Sequence, residues 1–284
     1  MSKIIIIPSS NQLNNDCDGY IIGINGLSVN LPIYFEVEEA ISFIRKVKDN
    51  NQEIFVALNK NMHNDDLPFL EKVLIKLNDL KVNGILYYDL SIFNISKRLK
   101  LSNELVWAQE HLTTNYLTCN FWYERGVNYV YVASEITTDE ILEIRQNTKM
   151  KLMVPIFGYL PMFVSKRHLV KNYLNYFNLE DNSKINYITK KDNEYPIIDN
   201  ELGTTVYSSH ILNGIKEVPK MKDIDYLILN SFNTNEIDFN EVIKMFKKVD
   251  ANNVVKYDNK INQTFKTNHG FLYEETIYKV KNNE

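Results

Sequence analysis

Cysteine is scarce in this 284-residue chain, which has only Cys17 and Cys119. Two thiols exclude a disulfide framework, and by themselves they cannot supply the four thiolates of a structural zinc site or an iron–sulfur cluster. A large excess of one charge is lacking as well, because the chain has 32 basic and 36 acidic residues and a formal net charge of -4. No overall field therefore draws the protein to nucleic acid or to an anionic membrane, so RNA binding would need a local patch.

Long apolar runs are absent too. The apolar stretch at 4–7 is much shorter than the core of a secretion signal. The longest apolar run, 152–164, contains Pro155 and Pro161 and falls short of the roughly 20 residues that cross a bilayer. We therefore expect a cytoplasmic protein without a membrane partner.

The common signatures of catalysis are also missing. The sequence contains no GxGxxG loop, no Walker loop, no HExxH and no GxSxG elbow, so a nucleotide-dependent enzyme of the usual kinds is not expected. Cys119 lies beside Trp122 in a predicted helix, and we interpret it as a small core residue rather than a nucleophile.

Eight short β-branched or aromatic runs recur along the chain, mostly without strict alternation, which is typical of strands covered on both faces. Helical patterns lie between most of them. This alternation predicts an α/β fold, a TIM-barrel-like (β/α)8 barrel rather than an open doubly wound sheet. The first link, 9–19, is too short for a crossover helix, so we expect the barrel to be irregular there. The eight runs are 3–8, 20–24, 54–58, 84–88, 104–108, 129–133, 151–157 and 226–230.

The domain organisation follows from the spacing of these runs. The interval between the seventh and eighth strands is far longer than one helix requires. It contains β-like runs separated by turn sequences, which predicts a β-rich insertion at 159–222. A helix is predicted at 236–249, and the aromatic residues of the C-terminal segment, 252–284, predict that it packs back on a single barrel domain spanning 1–284. The β-like runs are 185–189, 195–198 and 204–207.

Polar residues follow the fifth and sixth strands, where the βα loops of a barrel gather. Glu110 beside His111 could act as an acid and base pair or, with Glu135, as metal ligands. The alternative is a loop that caps the next helix through Thr114 or Asn115. The sequence leaves both interpretations open. The residues selected here as catalytic candidates or as lining of the barrel mouth are Gln109, Glu110, His111, Asn115 and Glu135.

A group of cations follows the seventh strand. Lys166, Arg167 and His168 suit a carboxylate or phosphate ligand, with Arg167 as the bidentate donor. The alternative is a solvated, basic start of a helix. Gly158 and Pro161 predict a sharp turn ahead of the cluster, which favours a site. The substrate-binding candidates of this region are Tyr159, Ser165, Lys166, Arg167 and His168.

The segment 154–169, VPIFGYLPMFVSKRHL, resembles the signature region of the U32 peptidase family, also called collagenase-like peptidases. Further landmarks occur in the family's order: QEHL and NY within 109–116, YPI and ELGT within 195–204, and GFLY at 270–273. The resemblance covers most of the chain and best suits a short branch of the family that is often found beside a longer paralogue. It implies an α/β barrel, in agreement with the eight runs.

The resemblance also implies chemistry. Better-understood members hydroxylate RNA bases or other aromatic substrates, several carry a four-cysteine iron–sulfur site, and some hydroxylate the wobble uridine of tRNA with prephenate as the hydroxyl source. This chain has Pro161 and His168 where the signature cysteines fall, and Met153 where the signature glutamate falls. We therefore predict no iron–sulfur cluster and no other cofactor in this chain, with prephenate as a candidate co-substrate.

Three functional hypotheses remain open. The first is a component of tRNA wobble-uridine hydroxylation that works with a longer, cluster-bearing paralogue or as a homodimer, its cation cluster binding a tRNA phosphate or prephenate. The second is a peptidase in which Glu110, Glu135 and His111 hold a metal or activate water. The third is a scaffold barrel without chemistry. Whether the chain is an enzyme is left open.

Overall fold

The computed structural model describes residues 2–109, 111–180 and 183–274. Eight parallel strands form a closed barrel, in which each strand pairs with the next and the last pairs with both the seventh and the first. The predicted (β/α)8 barrel is therefore confirmed, and each predicted run matches a strand to within two residues at either end. The strands are β1 (Lys3–Ile7), β2 (Gly19–Gly23), β3 (Glu53–Ala57), β4 (Gly84–Tyr87), β5 (Leu105–Trp107), β6 (Tyr129–Tyr131), β7 (Lys151–Gly158) and, after an insertion, β13 (Tyr226–Asn230).

Helices cover the outside of the barrel. In the second of them, Leu70, Val73, Leu74 and Leu77 recur at steps of three and four and are all buried. Among the described residues no helix joins β1 to β2, as the length of that link predicted. The helices of the barrel are α1 (Val37–Asp49), α2 (Leu67–Asp79), α3 (Leu90–Arg98), α4 (Tyr116–Tyr123), α5 (Thr138–Asn147), α7 (Glu236–Lys248) and α8 (Val254–Thr264).

Aromatic rings fill the N-terminal half of the barrel interior. Tyr129 and Tyr226 are the first residues of β6 and β13, and their ring centroids lie 6.0 Å apart. The ring of Phe55 packs edge-on against both, at 6.1 Å and 5.5 Å. These rings fill the N-terminal end of the barrel interior. The open space lies at the carboxyl ends of the strands.

The insertion between β7 and β13 forms a separate antiparallel sheet with the strand order β8-β11-β10-β9. Gly158 permits the exit from the barrel, since its φ is 124° and a Cβ there would lie 2.6 Å from the carbonyl oxygen of Asn230. The chain then enters a strand, where the sequence had suggested only a turned loop. The elements are β8 (Pro161–Ser165), α6 (Leu169–Tyr176), β9 (Asn186–Lys190), β10 (Asn193–Asn200) and β11 (Gly203–Tyr207).

The chain returns from the insertion through β12 (Ile211–Asn213), which pairs with β7 and with the short β14 (Thr267–Asn268). Near the C terminus Leu272 is buried in the core, and the Tyr273 hydroxyl donates to Glu217 Oε1 at 2.5 Å. Residues 275–284, which include the aromatic Tyr278, lie outside the described residues. Within the described part of the chain, no helix is both long and apolar enough to cross a membrane.

Candidate functional site

The barrel opens at the carboxyl ends of its strands into a pocket that we call the floor pocket. Apolar side chains at strand ends form much of its wall, with amides and other polar groups from the loops between them. The space amounts to about 80 Å³. Its lining includes Ile7, Ile21, Leu31, Ala57, Leu86, Ala108 and Pro155, with the polar Asn30, Asn59, His111, Ser134 and Asn230.

A larger space of about 520 Å³, the rim groove, lies beside the floor pocket, between the loops after β2 to β5 and the insertion. The two spaces share Asn30 and His111. The charged side chains and imidazoles along the rim groove are Lys60, His63, His111, Lys166 and Glu201. The barrel mouth therefore combines an apolar pocket with a charged groove.

His111 and Glu135, which the sequence groups as candidates for holding a metal or activating water, approach each other at this mouth. His111 Nδ1 lies 3.7 Å from Glu135 Oε1, with both side chains about half exposed. That distance is too long for a hydrogen bond, and it permits an ion pair when the imidazole is protonated. The N–H of His111 donates to Gln109 Oε1 at 2.8 Å, which holds the loop in a tight turn. Glu110 lies outside the described residues, so the proposed grouping of Glu110, His111 and Glu135 stays a prediction.

Asn115 has a local structural role. Its Oδ1 accepts the N–H of Thr118 at 2.9 Å, so Asn115 is the N-cap of α4. The capping interpretation therefore describes Asn115, and Thr114 is not the cap. Asn115 lines neither the floor pocket nor the rim groove.

The three neighbouring cations after β7 diverge in the structure. Lys166 Nζ lies 2.7 Å from His63 Nε2, across the rim groove. His168 turns into the insertion, where its Nδ1 lies 2.8 Å from Oδ1 of the largely buried Asp199. Arg167 is exposed, and no ion pair joins its guanidinium to any residue that the structure describes. Of the three, only Lys166 lines the groove.

Tyr159 and Ser165 support the entry to the insertion. The ring of Tyr159 packs edge-on against Phe232 with centroids 5.9 Å apart, and burial is the main cause that raises the pKa of its hydroxyl. Ser165 Oγ accepts the N–H of Arg167 at 3.2 Å. Neither residue lines the floor pocket or the rim groove.

Several residues of the mouth were not selected from the sequence. Asn30 adopts a left-handed backbone with φ of 59°, and its Oδ1 accepts the hydroxyl of Thr205, which ties the loop after β2 to the insertion. Lys60 and His63 follow β3, where Lys60 Nζ contacts Asp66 Oδ1 at 2.9 Å. The lysine also lowers the pKa of Asp66, after the larger effect of the His63 backbone N–H. The only sequence signal for these residues is their position after a strand.

The donors present do not fit an iron–sulfur cluster. Burial raises the pKa of both thiols to about 11, which disfavours the thiolates that iron requires. Cys17 lies in the β1–β2 link with its Sγ 3.3 Å from the carbonyl oxygen of Asn14, whereas Cys119 lies on α4. Within the described residues, no group of three or more His, Cys, Asp or Glu side chains is arranged to hold a metal ion.

The chain belongs to the U32 peptidase family, since the model of peptidase family U32 matches residues 12–282. The solved structure of the U32 peptidase Mk0906 superposes with a TM-score of 0.52 over 81% of this chain and 92% of that chain, at 15% identity. This chain and Mk0906 therefore share a fold although their sequences are only 15% identical.

Two curated relatives come from Bacillus subtilis (strain 168). The tRNA hydroxylation protein P2 is 26% identical and covers 97% of this chain, with 99% of its own length matched. The tRNA hydroxylation protein P1 is also 26% identical, over 49% of this chain and 33% of its own length. This chain therefore matches P2 from end to end and only a third of P1.

Proposed function

We propose that this chain is a component of tRNA hydroxylation and acts on the wobble uridine. The observation that carries the proposal is the end-to-end match with the tRNA hydroxylation protein P2. The tRNA hydroxylation protein P of Haemophilus influenzae (strain ATCC 51907 / DSM 11121 / KW20 / Rd) is a further relative, 26% identical over 44% of this chain. Because one fold hosts many functions, the barrel mouth must also suit the task.

The chemistry of the mouth supports an RNA substrate. Enzymes that modify a base usually extrude it from its stack into a pocket, and the apolar floor pocket offers such a place. Lys60 and Lys166 lie along the adjoining rim groove, where a phosphate of the same strand can meet a cation. Arg167, exposed on the outer side, extends this positive charge to the surface. Gln109 and His111 line the rim groove of the same mouth, where the Gln109 amide can bind substrate. His111, with Glu135 3.7 Å away, is the candidate for proton transfer.

The partner in this proposal is a longer U32-type paralogue. P1 and P2 occur in one organism, and this chain spans a third of P1 but nearly all of P2. The insertion also exposes apolar side chains that a partner would cover, since large exposed apolar patches mark protein interfaces. These include Met162, Phe163, Tyr173, Tyr176 and Phe177. Copurification with the paralogue supports this arrangement, whereas a homodimer alone contradicts it.

Any iron–sulfur cluster belongs to that partner in this proposal, because the thiols of this chain are buried and separate. Prephenate is kept as the candidate hydroxyl source. Its carboxylates would meet the same cations that serve a phosphate, Lys60 and Lys166.

The test is mass spectrometry of tRNA nucleosides from a strain that lacks the gene, before and after its return. We expect the hydroxylated wobble uridine to disappear and to be restored. An unchanged nucleoside profile would remove the proposal.

A hydrolase remains the second candidate, because His111 and Glu135 approach each other at an open mouth. It predicts metal-dependent cleavage of a peptide that His111→Ala abolishes. A scaffold without chemistry predicts instead that replacing Lys166 or Arg167 leaves tRNA modification intact.

A further inference from the structure

In two asparagine side chains of the floor pocket, the amide oxygen already accepts a hydrogen bond from the protein. Asn30 Oδ1 accepts the Thr205 hydroxyl at 2.8 Å, and Asn230 Oδ1 accepts the N–H of Phe232 at 2.9 Å. A backbone N–H can only donate, so the orientation of the Asn230 amide is fixed with its oxygen toward Phe232. Both residues line the pocket, one from the loop after β2 and the other from the end of β13.

The Nδ2 amino group of each of these two amides is left to donate to a ligand. Among the residues that the structure describes, no acceptor pairs with Nδ2 of Asn30 or of Asn230. Asn59 in the same pocket differs, because its Oδ1 and Nδ2 both bind the backbone of Val29, at 3.0 Å and 3.1 Å. Asn59 is therefore structural, whereas Asn230 presents an N–H donor, and Asn30 presents one in the orientation in which the Thr205 hydroxyl donates to its Oδ1.

The pocket also lacks permanently charged side chains. No Asp, Glu, Lys or Arg is among its described lining residues, and apolar side chains such as Leu31, Pro155 and Leu160 supply the rest of the wall. A charged ligand would lose its hydration here without a counter-charge, which is costly. A planar, uncharged ring with carbonyl oxygens at its edge matches both the apolar wall and the amide donors.

We infer that Asn30 and Asn230 are specificity-determining residues that donate their Nδ2 hydrogens to ring carbonyls of a pyrimidine base. This inference rests on the proposed function, since it assigns base selection to the mouth of the barrel. Uracil presents two ring carbonyls, whereas cytosine replaces one of them with an amino group. An amino donor facing an amide donor leaves both unpaired, so the pocket selects uracil over cytosine.

The inference is tested by binding of short RNA to the whole chain. The probes are single-stranded seven-nucleotide RNAs that differ only at the central base, uracil or cytosine, and the readout is fluorescence anisotropy. We expect the uracil RNA to bind about tenfold more tightly or better, in line with the discrimination typical of paired base contacts. Equal affinity for both RNAs, or no binding of either, overturns the inference.

Asn→Asp substitutions separate base reading from folding. Asn230→Asp keeps an oxygen for the N–H of Phe232 and exchanges the free donor for an acceptor. We expect this variant to lose or reverse the uracil preference, and Asn30→Asp to weaken it. Asn94→Asp is the matched control, because Asn94 is exposed on α3, lines neither the floor pocket nor the rim groove, and takes the same charge change. Circular dichroism melting of each variant checks that it folds.

The outcomes distinguish this inference from the proposed function. If deletion of the gene abolishes the tRNA modification while Asn230→Asp keeps the uracil preference, base reading by the amides is wrong and the proposed function stands. If the chain selects uracil through Asn230 but deletion leaves tRNA unchanged, the proposed function is wrong and the pocket reads a base in another RNA.

Discussion

Lys166 Nζ lies 2.7 Å from His63 Nε2, and this contact joins the insertion to the loop that follows β3 of the barrel. An ammonium group can only donate, so the imidazole nitrogen accepts. The contact crosses the rim groove and places one cation beside the floor pocket. The barrel and the insertion thus build the mouth together.

Replacing this cation should weaken RNA binding through charge. We expect Lys166→Ala to lower the affinity for single-stranded RNA and to reduce the slope of log affinity against log salt by about one, because one phosphate contact is lost. Fluorescence anisotropy between low and high salt measures the slope. Lys72→Ala is the control, since Lys72 is exposed on α2 and lines neither the floor pocket nor the rim groove. Equal slopes for wild type and Lys166→Ala would show that no phosphate meets this lysine.

The aromatic plug of the barrel should carry much of its stability. Phe55 is fully buried between Tyr129 and Tyr226, so Phe55→Ala should lower the free energy of unfolding by about 3–5 kcal/mol. Phe69 is the matched control, because it is 42% exposed on α2. We expect Phe69→Ala to change the stability little. Urea unfolding followed by circular dichroism compares them, and similar losses for both variants would contradict the described interior.

The insertion should depend on His168 for its order. Its imidazole is 2.8 Å from Asp199, whose side chain is only 7% exposed and also accepts the N–H of Lys171 at 3.0 Å. His168→Ala leaves this carboxylate short of a partner, so we expect faster hydrogen exchange in β10 and α6. Arg167→Ala, one residue away, should leave the exchange unchanged. Loss of protection in both variants, or in neither, would argue against this assignment of the two side chains.

Both thiols should be unreactive in the folded protein. Burial raises the pKa of Cys17 and of Cys119 from 9.0 to about 11, so at pH 8 the folded chain should alkylate far more slowly than the chain in urea. Above pH 9 the unfolded chain loses these protons while the folded chain keeps them. The unfolded state then binds fewer protons, so stability should fall as the pH rises from about 9 toward 11. Rapid alkylation of either folded thiol would contradict this account.

Much of the barrel could be predicted from the sequence because strands buried on both faces are near-continuous apolar runs. Runs such as 54–58 and 226–230 are apolar without alternation and recur at intervals that fit a helix. Helix α8 was not predicted, because its sequence is rich in asparagine and lysine and has too few apolar residues to show a helical period. Ile261 is one of its buried apolar residues.

The site was harder to predict, because its residues come together only through the fold. Three neighbours in sequence, Lys166, Arg167 and His168, lie between the end of β8 and the start of α6. Their side chains contact His63, remain exposed, and contact Asp199, respectively. His63 reaches Lys166 across 103 positions of chain. No local pattern marks such a contact. The His111–Glu135 approach was predictable because both follow adjacent strands of one barrel.

The central claim is that the barrel mouth of this chain receives the wobble uridine, and tRNA nucleoside mass spectrometry tests it most directly. The gene is deleted and returned as wild type, as Asn230→Asp or as Asn94→Asp, each checked for equal protein level. We predict hydroxylated wobble uridine with wild type and Asn94→Asp, and its loss with Asn230→Asp. Full modification with all three, or in the deletion strain itself, would contradict the claim.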